Sequence, residues 1–306
     1  MPLTHARRVT VRRRGLEPES CPVRGPGRHL VGASAVEVAL SGTPGRLDWE
    51  VANAGHAPCE LDAVAFTWDL GPAGDAPRVF CHGYQSWSPT RTRRLGVDHD
   101  PSRHPRSHAL VRAAYAADPG AAAPAELRSE QVTLVRGAGT ELRCIGFDGG
   151  EHHAGTLRLR VVDGRIEVTA EAWLGGARLD AGTARTLHAL EVRSGDDPST
   201  LLGDWAAQVG ARMRARTRAP FQVGWCSWYH YFAGVDERAV RANLARSAEW
   251  PFEVFQVDDG FQAAIGDWLV TAETFPSGVD GVAAAIAAAG RTPGLWLAPF
   301  LAAPDS

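Results

Sequence analysis

Lysine is missing altogether: all 32 basic residues are arginine, and with 35 acidic residues the net charge is −3. Such a balance offers no basic footprint for nucleic acid or an anionic membrane. Cysteine is scarce. Cys21, Cys59, Cys81, Cys144 and Cys226 are odd in number and contain no C-x-x-C pair. That speaks against a disulfide framework or a structural zinc site and points to a reducing, cytoplasmic setting. No run of about 18 apolar residues is present for a membrane span. The Arg-rich start (Arg7, Arg8, Arg12 to Arg14) is not followed by an apolar signal core, so secretion has no support. Gly-rich phosphate loops and G-x-S-x-G are absent, and no fixed-period repeat occurs. What is present, 306 residues with 44% hydrophobic and 22% charged, suits a soluble globular chain of about two domains.

The first half predicts β-structure. Between Thr156 and Val168, Leu157, Leu159 and Val161 alternate with Arg158 and Arg160. Asp163-Gly164 then turns the chain into Ile166 and Val168, the strongest short-range hairpin signal because the turn needs positive φ. Further strand candidates are Ala35–Leu40, Leu47–Asn53, Val132–Arg136, Leu142–Phe147 and Arg185–Val192. Strands without intervening helices predict a β-sandwich over residues 1–196, with a surface loop at Pro119–Pro124. Asp197-Pro198 reads as an N-cap and first-turn proline. Leu201, Leu202, Trp205 and Val209 follow at helical spacing, which predicts a connector helix to about Arg214 within a 197–219 linker.

Residues 220–306 change to strand–helix alternation. Phe221–Trp228, Phe252–Asp258 and Leu295–Ala298 read as buried strands. Asp236 caps a helix carrying Val240, Leu244 and Ala248, and an Ala-rich helix, Val279–Ala289, closes at Gly290. This order predicts parallel pairing with right-handed crossovers. Sites in such folds gather at the carboxyl ends of strands, where Trp228, Asp258-Asp259 and Trp296 fall.

Trp225 reads as core packing. Trp228 and Tyr229 lie where flat aromatic faces suit the C–H face of a sugar. Asp258-Asp259-Gly260 is the sharpest feature. Neighbours in a strand face opposite ways, but at a strand end a glycine lets both carboxylates turn to one ligand. Acceptor-only carboxylates suit adjacent hydroxyls or a hard metal ion; the alternative is a helix N-cap with a solvated neighbour. Asp267, in Gly266-Asp267-Trp268, can brace a loop. His99, His104 and His108 match no zinc spacing, nor does His152-His153 make a metal site; no metal is expected.

Four motifs, Gly224–Phe232 (GWCSWYHYF), Phe252–Gly260 (FEVFQVDDG), Gly266–Leu269 (GDWL) and Gly294–Phe300 (GLWLAPF), are similar in order and spacing to retaining α-galactosidases of glycoside hydrolase family 36, the melibiase-like enzymes. His82–Ser88 (HGYQSWS) resembles a motif of their N-terminal sandwich. The resemblance implies a β-supersandwich, then a (β/α)8 barrel, usually with a small C-terminal β-domain. It implies that Asp258 and Asp259 bind the galactose O4 and O6 hydroxyls. It implies too that Trp228, Tyr229 and Trp296 line that subsite, and that Trp87 reaches toward it from the sandwich. The substrate class is then a terminal α-galactoside, with no cofactor, no nucleic acid and no membrane partner.

The same resemblance places the nucleophile in a Lys-x-Asp motif on the fourth barrel strand and the acid/base Asp on the sixth. Without lysine, no such motif exists here. Arg46-Leu47-Asp48 and Arg178-Leu179-Asp180 echo it only in the β half. The expectation is therefore a truncated (β/α)8 barrel of three units, with no catalytic residue and no activity by itself. An exposed parallel edge should favour association. The alternatives are a non-catalytic galactose-binding protein, or a galactosyl transferase of the same family.

Overall fold

The computed structural model describes residues 6–33, 35–84, 88–98, 125–304 and 306. The expected loop Pro119–Pro124 and the His99, His104 and His108 group lie outside them, as does Trp87. The chain divides into two compact units, Met1–Ala215 and Arg216–Ser306.

The first unit is antiparallel. Its strands begin with β1 (Ala6–Arg13), β2 (Glu19–Pro22), β3 (Gly27–Val31), β4 (Val36–Thr43) and β5 (Arg46–Asn53). Next come β6 (Cys59–Pro72), β7 (Arg78–Cys81), β8 (Arg91–Arg94), β9 (Leu127–Glu130) and β10 (Val132–Arg136). The last are β11 (Leu142–Phe147), β12 (Ala154–Val162), β13 (Arg165–Leu179), β14 (Ala184–Thr186) and β15 (Leu190–Gly195). One sheet runs β2-β1-β6-β13-β12-β9; the other runs β3-β4-β5-β15-β11-β10-β7-β8, with β14 also on β5. Buried residues from both sheets, among them Val9, Trp49, Phe66, Ile145, Phe147, Leu157 and Ile166, form one core. This is the packing expected when each sheet has one apolar face.

The hairpin at Asp163-Gly164 forms as its chemistry requires. Both residues have positive φ (50° and 70°), and Leu157 pairs with Ala170. Leu157 and Leu159 are buried, while Arg158 and Arg160 on the other face donate to Glu171 and Glu167. The stretch Arg185–Val192 is not one strand. It is split between β14 and β15, because Leu187 turns its amide to Trp49 O at 3.1 Å and both flanks pair with β5.

Helix α1 (Pro198–Arg212) starts where Asp197 accepts a hydrogen bond from the Thr200 amide at 2.7 Å. Its Leu201, Leu202 and Trp205 pack on Val132, Leu134, Leu142 and Cys144 of the first unit. Trp205 Nε1 donates to Phe147 O at 3.0 Å. Gly146 makes the room, since a Cβ there would stand 2.3 Å from that nitrogen.

The second unit runs β16 (Gly224–Cys226), α2 (Trp228–Tyr231), a 3-10 turn (Phe232–Gly234), α3 (Glu237–Arg246), β17 (Val254–Val257), α4 (Gly278–Ala288) and β18 (Thr292–Leu295). Its strands are parallel in the order β16-β17-β18. Asp236 caps α3 through the Ala239 amide at 2.6 Å, and Val240 and Leu244 are buried, whereas Ala248 lies beyond the helix and is exposed. After α4, Gly290 (φ 73°) donates to Ala287 O and Arg291 N to Ile286 O. Together they form a Schellman cap that only a left-handed residue permits.

The first and second strands are shorter than expected: Trp228 begins a helical turn, and Asp258 stands just past its strand. The third lies three residues earlier than Leu295–Ala298. Pro293 discourages a strand in the sequence, yet it is tolerated on this edge, where Thr292 N and Trp296 N still donate to Glu253 O and Val257 O. Phe255, Val257, Val240, Phe275, Val282 and Ile286 make a separate core. Among the described residues, no helix is long and apolar enough to cross a membrane.

Candidate functional site

In the second unit the β16–β17 register pairs Trp225 with Phe255 and Cys226 with Gln256. Trp225 and Phe255 stack at 4.2 Å and 12° on the face that packs with Val257 and the helices. Period-two alternation leaves Cys226, Gln256 and Asp258 on the other face.

Ser227, fully buried, splints the two strand ends. Its amide donates to Gln256 O at 3.2 Å, and its hydroxyl oxygen accepts from the Asp258 amide at 2.9 Å. Asp258 is only 8% exposed. Its Oδ2 accepts from Gln256 Nε2 at 2.7 Å and from the Cys226 thiol at 3.3 Å, and its Oδ1 accepts from the Asp259 amide at 2.9 Å. Burial pushes the Cys226 thiol up in pKa, opposed by the Trp228 amide and reinforced by Asp258. The thiol therefore keeps its proton and donates.

Asp259 is half-buried, and its Oδ1 accepts from Gln262 Nε2 at 2.6 Å. Gln262 Oε1 in turn accepts from the Gly260 amide at 3.1 Å. Gly260 has φ 117°, and a Cβ on it would stand 2.6 Å from Ala233 O. Only glycine lets this turn sit on the Phe232–Gly234 turn. No helix follows Asp259 until Gly278, so the N-cap alternative does not apply.

The aromatic residues expected at the site are placed as follows. Trp228 is half-buried and meets Phe232 edge-on at 5.3 Å. Tyr229 is 86% exposed. Trp296, half-buried just after β18, meets Trp268 edge-on at 5.9 Å. Asp267 closes a turn by accepting, through its backbone carbonyl, from the Val270 amide at 3.0 Å. Gln256, Gln262, Ser227 and Trp268 carry contacts here without a role expected from the sequence. The available signal was spacing: Gln256 precedes Asp258 by two and so shares its strand face.

Of the motif at His82–Ser88, the flanks are described. His82 pairs with Glu130 O and Ser129, and the Gly83 amide donates to Thr90 Oγ1. Among the described residues no group of three or more His, Cys, Asp or Glu gathers for a metal ion. Carboxylates that only accept hydrogen bonds suit hydroxyl groups as partners.

In fold, this chain resembles the N-terminal part of the family 36 α-galactosidases. The α-galactosidase of Thermus thermophilus, solved with p-nitrophenyl α-D-galactopyranoside, matches 91% of this chain with TM-score 0.56 and 23% identity. That of Lactobacillus brevis matches 99% with TM-score 0.59 and 13% identity. For the α-galactosidase AgaA of Geobacillus stearothermophilus, the structure matches 97% with TM-score 0.54 and 14% identity. In sequence it is 34% identical over 84 residues, 25% of this chain and 11% of that protein. The chain spans 50%, 42% and 38% of the three solved enzymes. No protein-family model matches it.

Proposed function

We propose that this chain is the sugar-gripping part of a retaining α-galactosidase-like glycosidase. In this reading residues 1–196 are its N-terminal sandwich, 197–219 the helix and linker, and 220–306 the first three units of a (β/α)8 barrel. Asp258 and Asp259 accept hydrogen bonds from the galactose O4 and O6 hydroxyls, and Trp228, Tyr229 and Trp296 flank the sugar. The observation that carries this reading is the double-aspartate turn, two carboxylates held at a parallel strand end by uncharged donors and not by cations.

Retaining hydrolysis needs a nucleophile and an acid/base about 5 Å apart across the scissile bond. Adjacent aspartates tied into one turn do not supply that pair, and no Lys-x-Asp occurs in the 306 residues. These residues thus bind the galactosyl group and leave the bond intact. The test is to add p-nitrophenyl α-galactoside to the pure chain and to titrate methyl α-galactoside in parallel. Saturable, Asp258-dependent binding without nitrophenol release is expected; turnover by these residues alone, or no binding, refutes the reading.

A further inference from the structure

The geometry points to Gln256 and Cys226 as positioning residues that hold Asp258 so that it accepts one sugar hydroxyl, leaving Asp259 as the more open of the two carboxylates. This rests on the sugar-site reading above.

A carboxylate offers about four lone-pair positions. Asp258 has three occupied, by the Gln256 amide at 2.7 Å, the Cys226 thiol at 3.3 Å and the Asp259 amide at 2.9 Å. Asp259 has one occupied, by Gln262 at 2.6 Å. Gln256 and Cys226 are register partners on neighbouring strands. Their donors thus converge on Oδ2 from two rigid elements, which fixes the carboxylate plane before a ligand arrives. Both groups are neutral, so the carboxylate keeps its full charge for the incoming hydroxyl, and a hydrogen bond to a charged group is the stronger kind. An arginine in Gln256's place would neutralise it.

The test follows saturation-transfer NMR and titration of the full chain with methyl α-D-galactopyranoside, using the glucoside as control. Gln256→Leu removes the amide donor and should weaken binding about tenfold. Gln256→Glu sets a second carboxyl against Oδ2. Its binding should be poor at pH 7 and recover toward pH 5, where the pair shares a proton. The wild type should stay nearly level over that range. A merely structural role would not produce that pH profile. Cys226→Ser, which keeps a donor, should retain binding within about twofold, whereas Cys226→Ala should lose more.

Wild-type binding that is lost in Asp258→Asn but unchanged in both Gln256 variants overturns the positioning role alone. Absence of wild-type binding, or its survival in Asp258→Asn, overturns the sugar-site reading instead. If Gln256→Glu does not fold, Gln256→Leu decides: a tenfold loss supports the role and unchanged affinity refutes it.

Discussion

Acidification should destabilise the first unit through a buried histidine pair. His153 is 6% exposed and His188 fully buried. Each ring's proton position is dictated by backbone. His153 Nε2 accepts from the His188 amide at 3.0 Å, which leaves Nδ1 to donate to Ala154 O at 2.9 Å. His188 Nε2 accepts from the His152 amide at 3.0 Å, and its Nδ1 faces Asp148 Oδ1 at 3.5 Å. A second proton on His153 would set N–H against N–H. Burial pushes the His153 pKa down to about 4, with the Ala154 bond opposing and His188 and His152 reinforcing; burial also lowers His188.

The native state therefore binds fewer protons than the unfolded chain between roughly pH 6.5 and 4, and stability falls as pH falls through that window. From a free value of about 6.5, the His153 shift corresponds to roughly 3 kcal/mol in full, of which roughly 2 kcal/mol is gone by pH 5. His188 adds in the same direction. Urea unfolding at pH 7.5, 6 and 5, followed by the fluorescence of Trp49 (6.5 Å from the His153 ring), should show this loss. His153→Gln, which keeps a donor and an acceptor without titrating, should flatten the slope. Equal stability at pH 7.5 and 5, or an unchanged slope in the variant, would refute the reasoning.

Three more outcomes follow. Gly260→Ala must place a methyl 2.6 Å from Ala233 O at φ 117°; it should cost about 2–3 kcal/mol and displace Asp259, read as a lower melting temperature and weaker sugar binding. Glu237 accepts from the Ser277 hydroxyl and amide and from Arg241, and these bonds, the hydroxyl first, hold its carboxyl at about 2 against the opposing effect of burial. Its stabilisation of the α3–α4 junction is thus present above the ordinary carboxylate range and lost from about pH 4.5 toward 2, and Glu237→Gln should remove that dependence in acid titrations by circular dichroism. Leu295, Leu297, Phe300 and Leu301 are exposed beside β18. A cavity of about 200 Å3 lies between α4 and β17–β18, so sedimentation should show concentration-dependent association that Phe300→Ser reduces.

What the sequence disclosed depended on how local each signal was. The Asp163-Gly164 hairpin, the Asp197 and Asp236 caps and the Gly290 stop are encoded within a few residues, and each is found in place. Val132–Arg136 and Leu142–Phe147 are strands at those bounds. The long strand β6 leaves no period-two signal in the sequence because Val64 to Trp68 is buried on both faces and shows no alternation. The third parallel strand lies earlier than its local pattern suggests, because Pro293 argues locally against a strand that the Val254–Thr292 and Val257–Leu295 pairing nonetheless builds. At the site, the aspartate pair was visible as a motif. Of the donors that hold Asp258, Gln256 is signalled by its spacing of two residues, whereas Cys226 is not, since it reaches Asp258 only across a strand pair from 32 residues away.

The most direct measurement is calorimetric titration of the intact chain with methyl α-galactoside at neutral pH, set beside Asp258→Asn and Asp259→Asn. Heat that saturates for the wild type, disappears in both variants and is not reproduced by the 4-epimeric glucoside is the expected result. Identical titrations for all three proteins, or equal binding of the glucoside, would contradict the account.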